Sequence, residues 1–187
     1  CASARDFFPV FLISTLNTTN QSNPMSTSLH VGDKAPSFTT TAVGGEYGTG
    51  TPLKLTDLTG RSVVLYFYPK DDTPGCTTQA CGIRDEWKEI QSTGAALFGV
   101  SIDPVKSHEK FITKFDLPFP LLSDTAKSIV EAYGVWVEKS MYGKKYMGTE
   151  RTTFVIDPKG KIAAIFPKVK PAEHAGLVMT ALKELRD

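Results

Sequence analysis

From residue 37 onward the apolar positions of this 187-residue chain alternate between two periods. Residues 38–43 read as a short strand, Gly44-Gly45 and residues 48–52 as turn signals, and Leu53 with Leu55 as the returning strand of a hairpin. Residues 57–60 make a further turn. Val63, Val64, Leu65, Tyr66, Phe67 and Tyr68 form an unbroken β-branched and aromatic run between breakers, which predicts a buried central strand. After a polar loop, Thr73 is placed to cap a helix and Pro74 to take its first position, where a missing N–H costs nothing. Ala80, Ile83, Trp87 and Ile90 recur at spacings of three and four, predicting one apolar helix face that runs on to Gly94. Residues 96–102 predict a second buried strand, and Asp103-Pro104 opens a helix through Phe111, Ile112 and Phe115. A short strand at 119–122 and a short helix at 126–133 follow. Strands at 152–156 and 162–166 flank the turn Asp157-Pro158-Lys159-Gly160, and 172–185 is an amphipathic helix.

Strands separated by helices pair in parallel through right-handed crossovers, and the late hairpin adds antiparallel strands. The predicted class is therefore α/β: a central mixed sheet flanked by helices, with an N-terminal β-hairpin.

Composition narrows the function classes. With 41% hydrophobic and 22% charged residues, disorder of the whole chain is excluded. A net charge of +1 gives no global electrostatic case for nucleic acid. The apolar run at 7–13 is far short of the ~18 residues a membrane span needs. Three cysteines cannot build a disulfide framework, and His30, His108 and His174 stand at no ligand spacing, so no metal is expected. The chain holds no phosphate-binding loop and no dinucleotide fingerprint, and no cofactor is expected. Trp87 and Trp136 read as packing residues, and Arg84 as a solvated helix charge.

Residues 1–24 carry one acid (Asp6), one base (Arg5) and many Ser, Thr and Asn, with no period that continues into the body. They read as a disordered tail, a targeting remnant, or upstream sequence ahead of Met25. The expected division is a tail over 1–28 and one domain over 29–187, at ~100–200 residues per domain. The expected compartment is cytoplasmic, or plastid, mitochondrial or nuclear if residues 1–24 are a targeting remnant.

Cys76 is the most informative residue. It falls in the first turn of a helix that follows a buried strand, where free N–H groups and the helix dipole favour an anion. A thiol there is expected to ionise readily and to be nucleophilic. Its polar and small neighbours, Asp71 to Gly75 with Thr77 and Thr78, suggest a position outside the deep core. Cys81 lies five residues on, ~140° around the helix axis and ~7.5 Å along it. A disulfide needs Cα atoms within ~7 Å, so the pair can bridge only if the helix unwinds, or never bridges at all. Gly82 weakens the helix at that point.

The segment from Tyr66 through Pro69, Thr73, Pro74, Gly75 and Cys76 to Cys81 resembles the active-site segment of peroxiredoxins, most closely the Q type, or bacterioferritin-comigratory-protein subfamily. The P-x-x-x-T-x-x-C motif falls on Pro69, Thr73 and Cys76, and a second cysteine five residues later marks that atypical two-cysteine group. Similarity continues at residues 99–103, 119–124 and 143–157. The resemblance implies a thioredoxin-like fold and a thiol peroxidase acting on hydrogen peroxide and organic hydroperoxides. It implies Cys76 as peroxidatic nucleophile and Cys81 as resolving thiol, joined as a Cys76–Cys81 disulfide that thioredoxin or a similar dithiol reduces. Thr73 would hydrogen-bond the thiolate and the peroxide, Arg151 would hold the thiolate and polarise the peroxide, and Pro69 would shield the pocket. A resolving thiol on the same helix implies a monomer. The alternative is a redox-sensing or chaperone-like protein that uses the same disulfide switch; it needs the two cysteines but not Thr73 or Arg151.

Overall fold

The computed structural model describes residues 28–186. The expected tail over 1–28, apart from Ser28, lies outside the described residues. Among the described residues, nine strands form two sheets: β1 Thr39–Val43, β2 Thr51–Lys54, β3 Val63–Phe67, β4 Ala96–Ser101, β5 Leu121–Ser123, β6 Trp136–Met141, β7 Lys144–Thr149, β8 Thr153–Ile156 and β9 Ile162–Phe166. The helices are α1 Pro74–Asp85, α2 Trp87–Ser92, α3 Val105–Phe115, α4 Ser128–Ala132 and α5 His174–Glu184. The main sheet runs β2-β1-β5-β4-β3-β8-β9, and β6-β7 stand apart as a hairpin. β3, β4 and β5 are parallel, while β1, β8 and β9 join antiparallel, so the sheet is mixed, as expected.

The apolar run of β3 is explained by its two faces. Val63, Leu65 and Phe67 enter one core with Phe98, Val100, Tyr133 and Phe154. Val64, Tyr66 and Tyr68 enter the other with Cys76, Ala80, Ile83, Leu97, Phe111 and Val178. A strand covered on both sides has no polar face to alternate with, so its sequence reads continuously apolar. Each large side chain buried there contributes roughly 1.5–3 kcal/mol. Gly99 lies beside Tyr66 because a Cβ there would stand 2.7 Å from the phenol ring and from Leu121.

Two expectations need correction. The helix expected to run from Pro74 to Gly94 is broken at Glu86, which adopts φ −94°, ψ 8° between α1 and α2. Ile83 and Ile90 are buried on both sides of this break, so helical spacing spans it without an unbroken helix. The hairpin β6-β7 was not expected. Its turn, Tyr142-Gly143, has φ of 51° and 75°, a two-residue hairpin turn that usually carries Asn-Gly. Its side chains stay largely exposed, with Tyr142 at 97%, so no buried face stamps an alternation on the sequence. Among the described residues, no helix is long and apolar enough to cross a membrane, and no cluster of His, Cys, Asp and Glu could hold a metal ion.

Candidate active site

The site forms where β3 ends. Tyr68 extends the parallel pairing by donating its N–H to the Val100 carbonyl at 3.1 Å, and the chain then turns through residues 69–73 into α1. Pro74, Gly75 and Cys76 are the first three residues of α1. The first α1 bond is donated by Thr77 N–H to the Thr73 carbonyl at 2.8 Å, so the amides of Gly75 and Cys76 precede the ladder. Thr73 holds the cap position, but its hydroxyl donates to the Lys70 carbonyl at 3.1 Å and makes no side-chain cap.

Arg151 reaches the same point from the far end of the chain. It lies between β7 and β8, and its flanks are pinned: Phe67 N–H donates to the Thr152 carbonyl at 2.8 Å, and Val169 N–H to the Arg151 carbonyl at 2.9 Å. The guanidinium Nη2 is 3.3 Å from Cys76 Sγ. Its Nη1 donates to Gln79 Oε1, a fully buried side chain one turn after Cys76. Gly75 permits this approach, because a Cβ there would stand 3.3 Å from Arg151 Nη2.

Cys76 is 2% exposed and packs with Tyr66, Tyr68 and Ala80, so the inference from its polar neighbours that it lies outside the core is wrong. Those neighbours, Asp71 excepted, are exposed or half-buried while the sulfur points inward. Cys81 is half-buried on the same unbroken helix, and both thiols are free. Pro69 is half-buried at the start of the loop.

Several residues beside the site were missed. Gln79 had a usable signal, since three residues after Cys76 places it on the same helix face. Lys139 of β6 donates to the Thr149 carbonyl, and burial, then the Arg151 charge, lower its pKa. Arg84 is not merely solvated: Nη1 donates to the Phe115 carbonyl at 2.9 Å and ties α1 to the end of α3. His174 is fully buried against Tyr66, ring centroids 5.2 Å apart, with Nε2 2.8 Å from Thr153 Oγ1.

Burial, then the Arg151 charge, lower the His174 pKa from 6.5 to about 3. Below pH 6.5 the unfolded chain takes up a proton that the folded protein refuses until about pH 3. Stability from this group is therefore complete above that window and falls with pH inside it, by at most ~1.4 kcal/mol per unit. Urea midpoints between pH 7 and 4 should fall more steeply for the wild type than for His174→Gln, and parallel curves would contradict the assignment.

Comparisons with known proteins place the chain in a family. The AhpC/TSA family model matches residues 31–165. Peroxiredoxin Bcp of Bacillus subtilis is 41% identical over 160 residues, covering 86% of this chain and 99% of its own. Peroxiredoxin Bcp of Escherichia coli is 43% identical over 156 residues, covering 83% and 97%. Among solved structures, a peroxiredoxin Q from Xanthomonas campestris superposes with a TM-score of 0.74 at 40% identity, over 80% of this chain and 92% of that one. Peroxidoxin BcpB from Mycobacterium tuberculosis gives 0.72 at 35%, over 84% and 98%. The fold is thus thioredoxin-like, and the chain belongs to the AhpC/TSA family as a Q-type peroxiredoxin, a thiol peroxidase that takes peroxides and a thiol reductant.

Proposed function

We propose that Cys76 is the peroxidatic nucleophile and Cys81 the resolving thiol. The observation that carries this reading is the 3.3 Å contact of Arg151 with Cys76 Sγ at the first turn of α1. The Cys76 thiolate attacks one peroxide oxygen, the O–O bond breaks, and the alkoxide or hydroxide leaves and is protonated. Cys76 becomes a sulfenic acid. Arg151 and the unpaired amides of α1 face the charge that grows on the leaving oxygen. Thr73 holds the entrance of α1 and orients the peroxide, and Pro69 covers the pocket. The Cys81 thiol then displaces hydroxide from the sulfenic sulfur, releasing water and forming a disulfide. A dithiol reductant returns both thiols and is itself oxidised to a disulfide.

The substrate range extends to organic hydroperoxides, in keeping with the alkyl peroxide reduction studied in the Xanthomonas campestris bacterioferritin comigratory protein. Thioredoxin is the reductant, and the working unit is a monomer, because the resolving thiol stands on the same helix. The compartment is the cytoplasm unless residues 1–24 direct the chain elsewhere; the N-terminal mass of the native protein decides this. Steady-state consumption of hydrogen peroxide and cumene hydroperoxide with thioredoxin and its reductase tests the whole cycle. Turnover that saturates with thioredoxin is expected; disulfide formation without turnover under any dithiol would favour a sensor.

Resolution requires α1 to open. Its first turns are poor helix formers, with Thr77, Thr78 and Gly82, and the Thr78 hydroxyl bonds back to the Pro74 carbonyl at 3.0 Å. Unwinding them forfeits hydrogen bonds worth ~0.5–1.5 kcal/mol each. A Cβ on Gly82 would meet only Ala175 at 3.9 Å, an ordinary contact. Gly82→Ala should therefore stiffen α1 by up to ~1 kcal/mol without a clash, slowing disulfide formation up to about five-fold. The first attack on peroxide should keep its rate, and sulfinic acid should accumulate. Stopped-flow Trp fluorescence and mass spectrometry resolve the steps; equal resolution rates in the two proteins would show that the helix is not the gate.

A further inference from the structure

A buried imidazole and carboxylate lie beside the site without touching the sulfur. His108, in the first turn of α3, is fully buried, and its Nδ1 is 2.8 Å from Asp71 Oδ2. Its Nε2 is 3.1 Å from the Leu122 carbonyl. A carbonyl has no proton to give, so Nε2 must carry one. One more proton must lie between Nδ1 and Asp71. That carboxylate already accepts the hydroxyls of Tyr68 at 2.6 Å and Ser107 at 2.7 Å. Burial alone would raise its pKa, but the hydrogen bond and charge of His108, with those hydroxyls, hold it below the usual value. The His108 ring therefore bridges Asp71 and the Leu122 carbonyl through two buried hydrogen bonds.

Asp71 is the middle residue of the 69–73 loop, between Pro69 and Thr73. Its own N–H donates to Asp103 Oδ2 at 2.9 Å, an oxygen that also accepts the Ser101 hydroxyl at 2.7 Å. Next to it, Asp72 adopts φ 54°, a left-handed conformation that a side chain disfavours, and its carboxylate pairs with Lys114 Nζ at 2.7 Å. α3 thus grips two successive loop residues. The Lys114 pair is exposed and weak, whereas the His108 pair is buried, where loss of one partner is severe.

We propose that His108 is a positioning residue for the peroxide reaction: its buried ring locks Asp71 to α3, fixing the loop that carries Pro69 and Thr73 while α1 beyond it unwinds. The loop is a fixed jaw and the first turns of α1 are the moving part. This rests on the assignment of Cys76, Thr73 and Arg151 given above.

The test is His108→Gln, which keeps one donor and breaks the bridge between Asp71 and the Leu122 carbonyl. In protein shown to be folded by urea titration, the bimolecular rate of Cys76 with hydrogen peroxide should fall on the order of 10-fold to 10²-fold, the scale of a misplaced group. The later disulfide step, which depends on α1 opening, should not slow. If His108→Gln does not fold, Ser107→Ala removes a single tie and should show a smaller loss confined to the first step. A wild-type first-step rate or equal slowing of both steps would each overturn the proposal. Failure of the underlying assignment looks different: peroxide would leave wild-type Cys76 unoxidised, or Cys76→Ser would still turn over.

Discussion

Cys76→Ser should abolish peroxide reduction. A serine hydroxyl in the same place presents a neutral oxygen to Arg151, and its conjugate base is far too strong to form under working conditions. The only other thiol among the described residues is Cys81, half-buried and five positions along an unbroken helix. It stands ~140° around the axis from Cys76 and cannot take its place beside the guanidinium. Cys81→Ser makes the complementary case. It should still form one equivalent of sulfenic acid per chain, then stall with a thioredoxin system because no internal disulfide can form. Trapping with dimedone and mass spectrometry separates the two: adduct on Cys81→Ser, none on Cys76→Ser. Turnover above trace in Cys76→Ser would remove Cys76 from the role of nucleophile.

The parts of this fold that were legible are those where burial writes a period into the chain. β3 and β4 are covered on both faces, so residues 63–68 and 96–102 read as apolar runs, Ser101 excepted, and were recognisable as central strands. The start of α1 was legible from Pro74, whose fixed φ suits the first helical position. Local chemistry also marked Cys76, because a cysteine in the first turn of a helix meets free N–H groups that favour an anion.

What was hidden depends on partners distant in sequence. Arg151 has no local signature; it meets Cys76 because the end of β3 and residue Val169 both bond its stretch of backbone. His108 looked like one of three scattered histidines, and its meaning comes from Asp71, 37 residues earlier. The burial of Cys76 was misjudged because neighbours in sequence on a helix face different ways. Thr77 and Thr78 turn toward solvent while Cys76 and Ala80 turn toward the sheet. The β6-β7 hairpin escaped for the opposite reason, since a ribbon that buries little needs no regular apolar alternation.

Arg151→Met should lower the rate with peroxide on the order of 10²-fold, the effect of losing one preorganised donor. Methionine keeps the length and bulk that fill the space above Gly75, so the loss isolates charge and hydrogen bonding. A unit charge ~4 Å from the sulfur, at an effective dielectric of ~20, contributes ~4 kcal/mol of attraction to a thiolate. Desolvation of both groups consumes part of it, and the remainder acts twice, on thiolate formation and on the leaving oxygen. The substitution also leaves the buried Gln79 Oε1 without the donor it has now. Gln79→Leu is the needed control: it removes the amide but leaves the guanidinium, and should cost less than Arg151→Met. An unchanged peroxide rate would place Arg151 outside the reacting centre, despite its 3.3 Å contact with the sulfur.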